Sequence, residues 1–118
     1  MSHDIRLVDP VTKETLQAQE KHQIAGGTYC VGGTTELTLN VTYNYGSIFR
    51  GVMGDKGVTA IYGMTGAESL PMLKAAAAKL KDDVDPDYWK PTEGNVKRAL
   101  FGLIALAQLR PDGVWEGD

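Results

Sequence analysis

The chain has 118 residues, a formal net charge of −3, 42% hydrophobic residues and 23% charged residues. This length and composition predict a single globular domain over residues 1–118 and exclude wholesale disorder. The negative charge argues against a dedicated nucleic-acid-binding protein, which would carry a basic surface. Cys30 is the only cysteine, so no intramolecular disulfide can form, and this fits a reducing cytosol.

The N-terminal sequence predicts a cytoplasmic protein. Residues 1–6 lack the apolar run of a signal peptide, and no later segment approaches the length of a membrane span. We therefore expect the protein to act in the cytoplasm without a membrane partner.

The first segments of the chain predict short strands joined by turns. Residues 5–8 are apolar and end at Asp9-Pro10, a pair typical of turns. Residues 11–19 are predicted to return as a second strand, and the polar residues 17–23 are predicted to form a loop.

A Gly-Gly-Thr sequence occurs twice, at residues 26–28 and at residues 32–34. The second copy separates the strand-like residues 28–31 from a longer strand. It predicts a tight hairpin, because primed turns need positive φ and glycine reaches it without a Cβ clash. A phosphate-binding loop is the alternative, although the chain has neither Gly-x-x-x-x-Gly-Lys nor Gly-x-Gly-x-x-Gly.

Residues 36–45 alternate strictly between apolar or aromatic and polar side chains. This period of two predicts a half-buried β-strand in an antiparallel sheet. The apolar face carries Leu37, Leu39, Val41, Tyr43 and Tyr45, and the polar face carries Glu36, Thr38, Asn40, Thr42 and Asn44. The polar face is the best candidate for a recognition surface, and a merely hydrated face is the alternative.

The glycine-rich residues 46–57 are predicted to be a loop that ends in a turn, and residues 58–62 are predicted to be another strand. The N-terminal part of the chain therefore predicts about four or five strands, the commonest sheet size.

The first helix is predicted within residues 65–81. Thr65 and Glu68 have the spacing of a capping box, but Pro71 would then occupy the sixth helical position. An interior proline costs about 3 kcal/mol, whereas a cap contributes only about 1 kcal/mol. The sequence therefore predicts that the helix begins at Ser69.

The second helix is predicted over residues 93–109, with Thr92 as its N-cap. Its core stripe comprises Val96, Leu100, Leu103, Ile104 and Ala107. Phe101, Leu106 and Leu109 lie outside that stripe, so the helix is apolar nearly all round. This predicts a homo-oligomer whose interface includes some of Phe101, Ile104, Leu106 and Leu109.

The connection between the two helices is acidic. Asp83, Asp85 and Asp87 have the spacing of an EF-hand loop, but Tyr88 and Gly94 stand where that loop needs glycine and glutamate. A solvated acidic loop is the better interpretation, and Tyr88 with Trp89 is predicted to tie it to the core. The residues after the second helix predict a turn and a docked tryptophan, Trp115.

Together these elements predict an α+β fold. An antiparallel sheet from the N-terminal two-thirds of the chain would carry two α-helices packed on one face.

Binding is better supported than catalysis. Nucleophilic catalysis would need Cys30 or a serine beside a base, and the only histidines are His3, near the terminus, and His22, in a polar loop. No catalytic residue, metal or cofactor is therefore expected. The predicted ligand-binding residues are Asn40, Thr42, Asn44, Tyr43, Tyr45 and Arg50. An anionic ligand would need helix N-terminal amides and a cation such as Arg50, Lys97 or Arg98.

Several segments resemble a family of small proteins carried by bacteriophages and prophages. They are Gly-Gly-Thr-Tyr at residues 26–29, Gly-Gly-Thr-Thr-Glu at 32–36, Asn-Val-Thr-Tyr-Asn-Tyr at 40–45, Thr-Gly-Ala-Glu-Ser at 65–69, Tyr-Trp-Lys-Pro-Thr-Glu-Gly-Asn at 88–95 and Pro-Asp-Gly-Val-Trp at 111–115. The resemblance covers most of the chain after Gly26 and brings no assigned activity. It implies a phage accessory protein in a bacterial cytosol.

We therefore expect a non-enzymatic anti-defence protein that sequesters a small polar, nucleotide-like ligand. Two alternatives stay open: direct inhibition of a host defence protein, and a small hydrolase.

Overall fold

A computed structural model describes residues 1–28 and 30–118, and Tyr29 lies outside the described residues. The helices and strands are β1 (Ser2–Val8), β2 (Gln17–His22), β3 (Thr34–Glu36), β4 (Thr38–Thr42), α1 (Gly46–Met53), α2 (Gly66–Ala78), α3 (Glu93–Leu109) and β5 (Val114–Gly117). Two short 3-10 helices, Tyr43–Tyr45 and Gly57–Ile61, flank α1. The α+β prediction is confirmed, and α1 is a third helix that the sequence pattern did not predict.

The strands form two antiparallel sheets. The larger has the order β4-β1-β5, and β2 pairs with β3 in a separate ribbon. In the larger sheet Ile5 lies opposite Leu39, and Leu7 lies opposite Trp115, so these buried residues share one apolar face. Because β5 comes from the C-terminal segment, the sheet is not confined to the N-terminal two-thirds of the chain, as the sequence had predicted.

Three leucines join the two sheets through a closed ring of backbone hydrogen bonds. The Leu7 amide donates to the Leu37 carbonyl at 3.0 Å, the Leu37 amide to the Leu16 carbonyl at 3.1 Å, and the Leu16 amide to the Leu7 carbonyl at 2.9 Å. Each residue therefore satisfies one donor and one acceptor at a buried junction, where an unpaired peptide group would be costly. This ring ties the β2–β3 ribbon to the core sheet.

The predicted strand over residues 36–45 is wrong in its extent. β3 ends at Glu36 and β4 ends at Thr42. Leu37 lies between these two strands and belongs to the ring of three leucines. The alternation correctly identified Leu37, Leu39 and Val41 as core residues, all of them buried. It failed beyond Thr42, where the chain leaves the sheet and enters a 3-10 helix.

The chain turns into a 3-10 helix after β4. The Thr42 hydroxyl accepts from the Asn44 amide at 3.2 Å and so caps this turn. As a result Tyr45 is fully buried, whereas Tyr43 is 42% exposed instead of facing the core as predicted.

Residues 46–62 form α1 and the second 3-10 helix, joined by a short turn, and not a loop followed by a strand. α1 packs Phe49 into the core, with Ile48, Val52 and Met53 partly buried at helical spacing. The predicted strand at 58–62 is mostly the second 3-10 helix, in which Val58 and Ile61 are three residues apart and both buried. Residues at that spacing lie on one face of a 3-10 helix. The short apolar run at residues 58–62 is therefore compatible with a strand or with a 3-10 helix.

The early part of the chain also differs from its prediction. Val11 lies in an exposed turn, and the strand β2 covers Gln17–His22, which the sequence had predicted as a loop. The predicted strand over residues 28–31 includes Tyr29, and the described residues of that segment are not in a strand. Gly32 does adopt positive φ, +78°, in a turn closed by the Gly33 amide and the Cys30 carbonyl at 2.9 Å.

α2 begins at Gly66 and includes Pro71, so the predicted start at Ser69 is wrong. The capping box is complete: the Thr65 hydroxyl accepts from the Glu68 amide, and the Glu68 carboxylate accepts from the Thr65 amide. Two further helix-start amides, of Gly66 and Ala67, donate to carbonyls of the segment that follows α3, at 2.8 and 3.0 Å. These tertiary bonds offset the cost of the interior proline.

The prediction for α3 is confirmed in its bounds, in its Thr92 cap and in its buried stripe. Ile104 and Leu106 are buried within their own chain, whereas Phe101 and Leu109 are 52% and 48% exposed. Within residues 1–28 and 30–118, no helix combines the length and apolar character needed to cross a membrane.

Trp115 connects the sheet to α2. Its side chain is buried, and the indole N–H donates to the Ser69 hydroxyl at 2.8 Å. Ser69 is also fully buried and donates to the Gly66 carbonyl at 2.8 Å. The predicted docking of the tryptophan is confirmed, and its polar atom is satisfied inside the core.

We predict that Ser69→Ala lowers the free energy of unfolding by about 1–3 kcal/mol, because the buried indole N–H loses its acceptor. Urea denaturation measures the change. Ser47→Ala, at an exposed serine of α1, is the matched control and should stay within about 0.5 kcal/mol. Equal stability of the two variants would contradict the role assigned to Ser69.

Candidate functional site

The polar face of β4 is a bonded sheet surface. Asn40 pairs with Asp4 across the sheet, and its side-chain amide donates to the Ser2 hydroxyl at 2.7 Å and to the Asp4 carboxylate at 2.9 Å. Arg6 on the same face binds Glu116 at 2.7 Å. The donors of Asn40 are therefore engaged by the protein itself.

Two of the predicted ligand-binding residues are inaccessible. The side chain of Thr42 is buried and caps the following turn. Tyr45 is fully buried, and its hydroxyl donates to the Tyr88 carbonyl. Burial raises the pKa of Tyr45 to about 12.

The remaining predicted residues point to different parts of the surface. Asn44 is exposed, and its amide donates to the Trp89 carbonyl at 3.0 Å. Tyr43 packs edge-on against His3, with ring centroids 4.5 Å apart. Arg50 is exposed on α1. The structure does not bring the six predicted residues together into one surface.

Tyr88 closes the free edge of β4. Its hydroxyl donates to the Asn40 carbonyl at 3.0 Å and accepts from the Thr42 amide at 3.1 Å. A single phenol thus pairs the two backbone groups that a neighbouring strand would otherwise satisfy. An unpaired strand edge invites pairing with another chain, so this contact protects the edge as well as anchoring the residues that precede α3.

The first Gly-Gly pair covers the adjacent part of the same edge. The Asn40 amide donates to the Ala25 carbonyl at 3.1 Å, and the Gly27 amide donates back to the Asn40 carbonyl at 2.9 Å. A Cβ on Gly26 would collide with the Asn40 carbonyl, and one on Gly27 would meet the Tyr88 ring at 2.7 Å. These glycines permit close backbone approach, a structural reason for the motif.

Asn95 holds the segment that carries the two neighbouring aromatic residues. Its side-chain amide donates to the Asp87 carbonyl at 3.0 Å and to the Lys90 carbonyl at 3.1 Å, and its oxygen accepts from the Asp85 amide at 2.9 Å. Asn95 is buried, and both N–H donors of its side chain are satisfied. Sequence analysis missed this role; the signal was an asparagine in the first turn of a helix that follows an aromatic loop.

The acidic residues before α3 bind backbone amides. Asp83 accepts from the Gly94 amide at 3.0 Å, and Asp85 accepts from the Asp87 amide at 2.8 Å. The Asp87 amide lowers the pKa of Asp85, and Lys90, 3.3 Å away, adds to the effect. Among residues 1–28 and 30–118, no group of three or more His, Cys, Asp or Glu side chains is arranged to hold a metal ion.

A cleft of about 490 Å³ lies between residues 23–27 and the segment 85–89, over α3. Leu39 and the fully buried Tyr45 lie beneath it, and Gly102 lets Leu39 and Ile24 approach the helix closely. The described residues around the cleft are Gln23, Ile24, Ala25, Gly26, Gly27, Leu39, Tyr45, Asp85, Pro86, Tyr88, Trp89, Asn95, Arg98, Ala99 and Gly102. Of the six residues predicted from the sequence, only Tyr45 borders this cleft, and it is buried beneath it.

Arg98 and Trp89 form the exposed rim of the cleft. Trp89 is 48% exposed, and its ring meets that of Tyr88 edge-on at a centroid distance of 5.3 Å. Within the described part of the chain, the ion pairs of the protein do not include Arg98. The cleft therefore combines an exposed indole with a cation that has no carboxylate partner among the described residues.

A second groove, of about 770 Å³, separates β2 from the C-terminal half of α3. Its residues are Gln17, Ala18, Gln19, Glu20, Lys21, His22, Ile24, Ala105, Gln108, Leu109 and Arg110. Ile24 lines both this groove and the cleft, so the two lie side by side along α3.

His22 has a structural role. Its Nδ1 accepts from the Ile24 amide at 3.1 Å, so its Nε2 carries the proton and donates to the Glu36 carbonyl at 2.9 Å. Both ring nitrogens are therefore occupied by backbone groups. This arrangement leaves no lone pair on His22 for a proton transfer from Cys30.

Comparison with known proteins gave no match: no protein-family model, no curated protein and no solved structure corresponds to the chain.

We predict that Tyr88→Phe destabilises the protein by about 1–3 kcal/mol, because the buried Thr42 amide loses its acceptor, while the Asn40 carbonyl keeps the Gly27 amide. Chemical denaturation measures the loss. The matched control is Tyr43→Phe, at an exposed tyrosine, which should change stability by less than about 0.5 kcal/mol. A Tyr88→Phe protein as stable as the control would show that the hydroxyl does not secure the strand edge.

We also predict that the protein loses stability between pH 10 and about pH 12. Burial raises the pKa of Tyr45 and of Tyr62 from 10 to about 12, so the unfolded state releases these protons first. Over this window the folded state binds more protons, and stability falls as pH rises. Denaturation at successive pH values tests this, and Tyr45→Phe should make the decline shallower. An equally steep decline in that variant would contradict the assignment.

Proposed function

We propose that the protein binds a small, polar, nucleotide-like ligand in the cleft beside α3 and releases it chemically unchanged. The observation that supports this proposal is the pairing of Trp89 and Arg98 on the rim of one cleft. An exposed indole and a guanidinium are the groups that recognise a planar ring and an attached anion.

The size and chemistry of the cleft fit this ligand class. Its volume of about 490 Å³ lies within the range of about 300–1,000 Å³ typical of small-molecule sites. Ile24, Pro86 and Gly102 supply apolar groups, and the loop at residues 23–27 adds peptide groups. A base or similar ring would lie against Trp89, while Arg98 would bind a phosphate or carboxylate of the same molecule.

The proposal is for sequestration because the titratable groups near the cleft are engaged within the protein. Asp85 binds Lys90 and a backbone amide, and the hydroxyls of Tyr45 and Tyr88 bind backbone groups. None of these groups is placed as a free general base. Together with the phage resemblance, this supports a protein that withholds a host defence signal from its receptor.

The decisive experiment offers the protein a panel of cyclic nucleotides and ADP-ribose derivatives. After separation from free ligand, the protein is denatured by heat, and the released compound is identified by mass spectrometry. Intact recovery supports sequestration, and recovery of a changed product would replace the proposal with catalysis. No uptake of any compound would contradict it and favour direct inhibition of a host protein.

With a ligand identified, we predict that Arg98→Ala and Trp89→Ala each weaken binding by about 1–3 kcal/mol, since each loses a charge-assisted or stacking contact. Calorimetry measures the affinities. Arg50→Ala is the matched control, because Arg50 is an exposed arginine outside the cleft. If Asn40→Ala weakens binding and Arg98→Ala does not, the ligand lies on the strand face and not in the cleft.

A further inference from the structure

α3 presents a partly apolar stripe on its outer side, here called the α3 stripe: Arg98, Phe101, Ala105 and Leu109. Phe101 and Leu109 are among the most exposed large apolar residues of the described chain, at 52% and 48%. Spacings of three and four residues place the four side chains on one side of the helix. The opposite side of α3, including Leu103 and Leu106, is buried in the protein's own core.

The α3 stripe is self-complementary. Phe101 and Leu109 each lie four residues from Ala105, which is about 6 Å along a helix that rises 1.5 Å per residue. An antiparallel second α3, related by a two-fold axis at Ala105, would therefore bring Phe101 of each copy against Leu109 of the other. Isologous contacts of this kind are the usual basis of homodimers. The small side chain of Ala105 lets the two helices approach closely.

The charges at the ends of the α3 stripe favour the same arrangement. Arg98 precedes the apolar residues, and Asp112, an exposed residue, follows α3. The antiparallel two-fold brings each Arg98 towards Asp112 of the other copy, whereas a parallel arrangement would place like charges together. Asp112 also binds Arg110 of its own chain at 2.8 Å. Each Asp112 oxygen accepts one bond from Arg110, at 3.0 and 2.8 Å, and keeps a second lone pair for Arg98 of the other copy.

The groove between β2 and α3 supplies a recess for the contact. Ala18, Ile24, Ala105 and Leu109 line it, directly beside the α3 stripe. In the two-fold arrangement the partner's Phe101 meets Leu109 at this recess and can enter it. We propose that the α3 stripe and this groove bind a second copy of the chain and form a symmetric dimer.

The dimer would also add a wall to the open side of the cleft. Arg98 belongs both to the cleft rim and to the α3 stripe, so the end of the partner's α3 would lie beside that rim. The second copy would then narrow the open side of the cleft. Dimerisation itself rests on the α3 stripe and does not depend on the identity of any ligand.

Light scattering at micromolar concentration tests the dimer without a ligand. The wild-type protein should have twice the mass of the chain, and Phe101→Ser and Leu109→Ser should be monomeric with unchanged circular dichroism. Met72→Ser is the matched control, because Met72 is a partly exposed apolar residue on another helix, α2, and this variant should stay dimeric. A monomeric wild type, or stripe variants that remain dimeric, would overturn the proposal.

Cross-linking locates the two-fold axis. In a Cys30→Ser background, Ala105→Cys should form a disulfide dimer on mild oxidation, because the axis brings the two copies of residue 105 within bonding distance. Ala75→Cys, at an exposed alanine of α2, should remain monomeric on a non-reducing gel. Cross-linking at residue 75 but not at residue 105 would overturn the two-fold arrangement, as would equal cross-linking at both.

Discussion

Trp115 makes the contacts on which the arrangement of the sheet and helices depends. Its strand pairs with β1, its own amide and carbonyl bond Met64 and Gly63 at 2.9 Å, and its indole reaches Ser69 in α2. The carbonyls of Pro111 and Gly113, in the same segment, accept the first amides of α2. Residues 111–115 therefore fix the position of β5, the start of α2 and the distance between the sheet and α2.

The cleft results from a second constraint, the need to satisfy the outer edge of β4. Tyr88 and the chain around Gly27 pair the backbone groups of that edge. Asn95 then holds the segment in which Tyr88 lies. Because Tyr88 is bound inward, its neighbour Trp89 is left at the surface, on the same cleft as Arg98. The exposed position of Trp89 thus results from the contacts that cover the edge of β4. Trp89 and Arg98 both lie on segments that are held by several hydrogen bonds.

Three sides of α3 have different surroundings. One side packs Leu103 and Leu106 into the core, a second side with Gly102 forms the cleft floor, and the outer side carries Phe101 and Leu109. Apolar residues nearly all round the helix therefore do not imply burial all round within the chain. In the proposed assembly the ligand and the second copy would meet the same helix at Arg98, so binding of one would affect the other.

The sequence by itself determined those features that local rules decide. The Thr92 cap and apolar periodicity delimit α3, and alternation identifies Leu39 as core. Tertiary structure decided the rest: Tyr43 turns outward because the chain enters a 3-10 helix after Thr42, and α2 begins at Gly66 because distant carbonyls accept its amides. The cleft was beyond prediction for the same reason. Arg98 was only one of several candidate cations, since its place on the same cleft as Trp89 depends on long-range hydrogen bonds that no local pattern encodes.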